Sequence, residues 1–141
     1  MPHFSSAKDA EHPLVMANPL MADGWSQGGW ATGLAAAWPS DRTLEFIRVP
    51  FAAAEEPPTF DPAFYQPLTR LDIPQSVRFI AGCIHESLSS DQQVELLRLI
   101  EDRAGREVDV AAACGLGRRP DVSQAWDAME KALLLVQSPA A

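Results

Sequence analysis

The stretch that decides the fold is VDVAAACGLGRRPD, residues 108–121. It starts as a short apolar run with β-branched residues at its head, bounded by Gly105 before it and Gly115 after it. Such a run is typical of a strand buried on both faces. The stretch therefore predicts a strand, a loop and a helix in succession, and it places Cys114 at the carboxyl end of the strand.

Two more strands are predicted upstream, in addition to the one at residues 107–113. Residues 44–49 alternate between apolar and polar until Pro50, and residues 77–84 are apolar at nearly every position. Between them lies a proline-rich connection, residues 50–76, in which residues 62–68 can form one short helix. We expect proline to stiffen the rest of this connection without giving it regular structure.

Helical periodicity follows each of the last two strands. One helix is predicted to begin at Ser90, with Gln93 placed for a capping box, and to end at Gly105. Its predicted buried stripe is Val94, Leu97, Ile100 and Ala104. A second helix is predicted to begin at Asp121, with a buried stripe of Val122, Ala125, Trp126, Met129, Leu133 and Val136. Residues 31–38 can also be helical, and a broken helix is predicted within residues 1–23.

The alternation of strands and helices predicts an α/β fold in which about three parallel strands are flanked by helices. With 141 residues, 47% of them hydrophobic, the whole chain is expected to form a single domain. A net charge of −8 argues against nucleic-acid binding. The apolar runs of the chain are far shorter than the roughly 20 residues of a membrane span. We therefore expect a cytoplasmic protein whose two cysteines stay reduced.

The Cys-Gly-Leu-Gly-Arg-Arg segment at residues 114–119 is preceded, one βα unit earlier, by a strand that ends in Gly82-Cys83-Ile84-His85. Together these segments resemble the last two βα units of the cobalamin-independent methionine synthase family. The resemblance covers roughly residues 49–137, and it implies part of a (β/α)8 barrel. It also implies that Cys114 descends from a thiolate ligand of a catalytic zinc.

In that family the remaining zinc ligands are a His-x-Cys pair and a glutamate on earlier strands. Here Val49-Pro50 stands where the glutamate is expected, and neither His3 nor His12 has a cysteine two residues away. The resemblance implies a zinc-dependent methyl or alkyl transfer to a small thiol as the ancestral activity. Because most of the family's zinc ligands have no match here, we expect this chain to be a fragment of such a protein, inactive alone and weak in zinc binding.

Other candidate site residues lie at the same predicted edge of the sheet. His85 and Glu86 follow the second strand and could act as general acid or base, or could form a solvated loop pair. Arg118 and Arg119 lie beside glycine amides at a helix start and could bind an anion, or could be a solvated charge pair. Cys114 itself could be a small buried thiol.

Two functional hypotheses follow, and they belong to different classes. The first is the methionine-synthase-like fragment just described. The second is a non-catalytic α/β module that covers its open sheet edge by self-association or by binding a partner chain. Three parallel strands cannot close a barrel, so both hypotheses predict a chain that is oligomeric or unstable by itself.

Overall fold

A computed structural model describes the backbone of residues 27–137 and the side chains of residues 31–137. The elements in this part of the chain are α1 (Gln27–Ala37), β1 (Phe46–Pro50), α2 (Pro62–Tyr65), β2 (Arg78–Ile84), α3 (Ser90–Ala104), β3 (Asp109–Ala112) and α4 (Val122–Gln137). Short 3-10 turns lie at Gln66–Arg70 and Leu116–Arg118. The predicted broken helix in residues 1–23, together with His3 and His12, lies outside the described residues.

The three described strands form one open sheet in the order β1-β2-β3. Both pairs are parallel, with Ile47 opposite Phe79 and Ala81 opposite Val110. The α/β class with three parallel strands and flanking helices is thus confirmed. That these strands are part of a (β/α)8 barrel, as the resemblance implies, stays a prediction.

The outer strands are short. β3 has four residues, all of them half-buried, so the prediction that it is buried on both faces is wrong. The reason is its place in the sheet: among the described strands, β3 pairs with β2 alone. β1 ends in Pro50, which cannot donate a ladder hydrogen bond. Short or proline-terminated edges expose few unpaired backbone groups, which makes the sheet a smaller aggregation hazard than the predicted lengths imply.

The proline-rich connection contributes much of the core. Tyr65 and Leu68 are fully buried, and the Tyr65 ring lies 5.5 Å from that of Phe51. The Tyr65 hydroxyl donates a 2.6 Å hydrogen bond to the carbonyl of Thr59, so the buried ring leaves no polar atom unsatisfied. The short helix predicted at residues 62–68 is present as α2 and the 3-10 turn after it, and the connection is therefore a packed part of the domain.

Helix α3 begins at Ser90, as predicted, but its capping residue lies one position earlier than expected. Its N-cap is Ser89, which forms a capping box with Gln92. Gly105 ends it in the left-handed conformation (φ 67°), which glycine adopts without strain. Its fully buried residues are Gln93, Leu96 and Ile100. The other members of the predicted stripe are half-buried and pack against the core: Val94, Leu97 and Ala104. Because Ser89 and Gln92 cap the helix, Gln93 is free to turn inward.

Helix α4 starts as predicted, with the Asp121 carboxylate accepting a 2.9 Å hydrogen bond from the backbone amide of Ser123. Its buried residues are Ala128 and Leu135, which pack with Ile84 of β2. The predicted stripe is wrong, because five of its six members are exposed: Val122 (71%), Trp126 (64%), Met129 (48%), Leu133 (54%) and Val136 (64%). We call these five residues the α4 seam. As the last described element, α4 has neighbours on one side only.

Candidate functional site

The candidate site lies at the carboxyl ends of β2 and β3. Ile84 pairs with Ala112, and the Ala113 amide donates a 2.8 Å hydrogen bond to the Ile84 carbonyl. His85 and Cys114 therefore follow neighbouring parallel strands at the same edge of the sheet, where strands lie about 4.8 Å apart. We call the segments 85–87 and 114–119 the carboxyl rim.

His85 is buried, with 3% of its surface exposed, although it follows a strand end. Its Nδ1 accepts a 3.2 Å hydrogen bond from the Ser87 amide and lies 2.8 Å from the Ser87 hydroxyl. Its Nε2 lies 3.1 Å from the Ala54 carbonyl, which can only accept. These partners assign a neutral ring with the proton on Nε2. Both ring nitrogens are thus bonded within the chain.

Gln93 joins this rim to helix α3. Its side-chain carbonyl accepts a 2.8 Å hydrogen bond from the His85 amide, and its amide nitrogen donates a 3.2 Å bond to the Cys83 carbonyl. One buried side chain therefore satisfies two backbone groups where the β2 ladder ends. Sequence reasoning missed this role, because it assigned Gln93 to the helix cap.

Glu86 and Arg119 form an ion pair that joins the two segments of the rim. The guanidinium of Arg119 lies 3.2 Å from Glu86 Oε2, and it also donates to the carbonyls of Cys114 (3.0 Å) and Gly115 (3.2 Å). Burial alone would raise the pKa of Glu86. The hydrogen bond from its own backbone amide, those from Arg119 and the neighbouring Arg119 charge outweigh burial and hold this pKa below its ordinary value.

The two adjacent arginines differ completely in their surroundings. The Arg119 side chain is 1% exposed and is bonded to Glu86 and to backbone carbonyls, whereas Arg118 is exposed to solvent. The 3-10 turn at Leu116–Arg118 sets which of the two points inward. The structure thus brings His85, Glu86 and Arg119 together and leaves Arg118 outside the group. An anion at this rim would have to compete with Glu86 for Arg119.

The two cysteines are free and differ in exposure. Cys83 is fully buried in β2, and burial raises the pKa of its thiol to about 12. Cys114 is half-buried on the rim. Across the side chains of residues 31–137, no group of three or more His, Cys, Asp and Glu is arranged to hold a metal. A catalytic zinc usually has three protein ligands, so the expected role of Cys114 as one of them stays a prediction.

The sheet also carries an arginine that sequence reasoning missed. Arg48 on β1 donates a hydrogen bond to the Ala112 carbonyl on β3, and so spans β2. Gly82 occupies the middle strand at this level, where an added Cβ would lie 3.0 Å from Pro50 Cα and 3.2 Å from the Ala112 carbonyl oxygen. Because residue 82 has no side chain, the three strands can approach one another closely here. The Arg48 hydrogen bond then holds β3 to β1.

Comparisons with protein-family models, with curated proteins and with solved structures gave no significant match for this chain. Among the helices of residues 27–137, none combines the length and apolar character needed to cross a membrane.

Proposed function

We propose that this chain is a non-catalytic α/β module that binds another polypeptide chain through the α4 seam. The observation that carries the proposal is the exposure of five large apolar side chains along one helix. Scattered exposed apolar residues are ordinary on a protein surface, but a continuous apolar strip is typical of an interaction site. These five recur at intervals of four, three, four and three residues, so they share one side of the helix.

The carboxyl rim supports the non-catalytic part of the proposal. A general acid or base must come within hydrogen-bonding distance of a substrate proton. His85 is buried with both ring nitrogens bonded, and Glu86 is paired with Arg119. In this arrangement the rim residues connect the loop at Ala54, the end of β2 and the turn after β3. Their role in the proposal is to hold the strand ends together.

Two leucines on α4 give a matched test. Leu133 belongs to the seam and is 54% exposed, whereas Leu135 is 8% exposed and packs against the sheet. Leu135→Ala should lower the free energy of unfolding by about 3 kcal/mol through the cavity it leaves. Leu133→Ala should change it by less than about 1 kcal/mol, as surface substitutions do. Urea denaturation in dilute solution measures both.

Equal losses for the two leucine variants in dilute solution would contradict the proposal. They would mean that the seam is already covered by another part of the same chain.

A second candidate is the zinc-dependent methyl transfer implied by the methionine synthase resemblance. It is favoured by Cys114, a half-buried thiol at the carboxyl end of a strand, where α/β enzymes place their chemistry. Bound zinc would supply thiol activation. We expect the purified chain to retain far less than one zinc per chain after dialysis against a mild chelator. Stoichiometric, tightly held zinc would favour this second function over the first.

A further inference from the structure

We propose that the occupant of the α4 seam is the same seam of a second copy, so that two α4 helices pack side by side across a two-fold axis. This inference rests on the proposed function and names its partner. The intervals of four, three, four and three residues are those of a heptad repeat. Heptad spacing suits a helix that packs along the length of another helix of the same spacing, and identical helices meet this condition automatically.

The size of the seam fits such a pair. From their exposed fractions, the five side chains present on the order of 600 Å² of surface per copy. A standard stable interface buries about 800 Å² per partner. Because a two-fold axis makes each copy contribute the same patch, the seam supplies most of this area, and the residues that flank it supply the remainder.

The charges of α4 are compatible with pairing. Its charged residues are Asp127, Glu130 and Lys131, and all five seam positions are uncharged. Two copies can therefore meet along the seam without burying an unpaired charge. Each chain carries a net charge of −8, so two copies repel at long range. Added salt screens this repulsion, and the pair should accordingly tighten as salt is raised.

Opposite charges introduced at the centre of the seam give a direct test. Met129→Glu and Met129→Lys each place like charges across the two-fold axis, whereas an equimolar mixture places opposite charges there. By sedimentation equilibrium, the wild-type chain should have about twice the 15.3 kDa mass of one chain. Each variant alone should have the mass of one chain, and the mixture should return to about twice that mass. Asp127→Lys, on the same helix but off the seam, should behave as wild type.

The proposal is overturned if the wild-type chain is a folded monomer, if either Met129 variant stays dimeric alone, or if the mixture stays monomeric. A folded monomer whose Leu133→Ala variant is as stable as the wild type would leave the proposed function standing with a different partner. A monomer in which Leu133→Ala costs as much as Leu135→Ala would remove the proposed function as well.

Discussion

The carboxyl rim and the α4 seam lie at different places in the domain, and their side chains have opposite surroundings. On the rim, the polar groups of His85, Glu86 and Arg119 are bonded within the chain; His85 and Arg119 are buried, and Glu86 is half-buried. On the seam, apolar side chains such as Trp126 and Leu133 are exposed. The rim therefore stabilises the fold through contacts within the chain, whereas the seam leaves apolar surface exposed among the described residues. Residue type alone would have assigned these roles the other way round.

The largest effect is expected from a substitution that breaks the ion pair of the rim. Arg119→Met should lower the free energy of unfolding by about 3 kcal/mol, because it leaves the Glu86 carboxylate and the carbonyls of Cys114 and Gly115 without their donor. The matched control is Arg118→Met, one residue earlier and exposed, which should change it by less than about 0.5 kcal/mol. Urea denaturation compares the two, and equal losses would mean that the rim is not held by Arg119.

A smaller effect is expected from removing the link between the rim and helix α3. Gln93→Leu keeps a side chain of similar size but leaves the buried His85 amide and Cys83 carbonyl without partners. The expected loss in unfolding free energy is about 2 kcal/mol. Gln66→Leu makes the same change at an exposed position and should have little effect. A Gln93→Leu variant as stable as the wild type would show that water or another group replaces Gln93.

The fold was more predictable than the contacts. The apolar runs placed all three strands to within a few residues, and Asp121 marked the start of α4, because strand burial and helix capping depend on neighbours in the sequence. Periodicity also grouped the seam residues correctly on one face. Periodicity could not predict which elements pack against that face, because packing depends on residues that are distant in the sequence.

At the rim too, the positions of residues were predictable from the sequence, but their contacts were not. The position of His85 after a strand was predictable, but its contact with Ala54 spans 31 residues and an irregular loop. The sequence does not indicate whether Arg118 or Arg119 is buried. The geometry of one 3-10 turn makes Arg119 the buried partner of Glu86. Gln93 could have been noticed as a polar residue one position before an apolar helical stripe.

The smallest expected effect is the pH dependence of the rim. The pKa of Glu86 is lower in the folded chain than the unfolded value of about 4.3. Its carboxylate therefore stabilises the fold above that pH, and this stabilisation is lost as the pH falls through the folded pKa. Glu86→Gln should cost about 1 kcal/mol at neutral pH and less in acid, measured by urea denaturation at both. A loss that stays constant with pH would show that the Glu86 charge is not involved.

The most direct test of the α4 seam is the thermal unfolding midpoint of the wild-type chain over about a hundredfold range of protein concentration. If two copies pair along the seam, dissociation accompanies unfolding, and the midpoint should rise by several degrees from the lowest concentration to the highest. Met129→Glu should show no such rise. A wild-type midpoint that is independent of concentration, with a mass of 15.3 kDa throughout, would contradict the dimer.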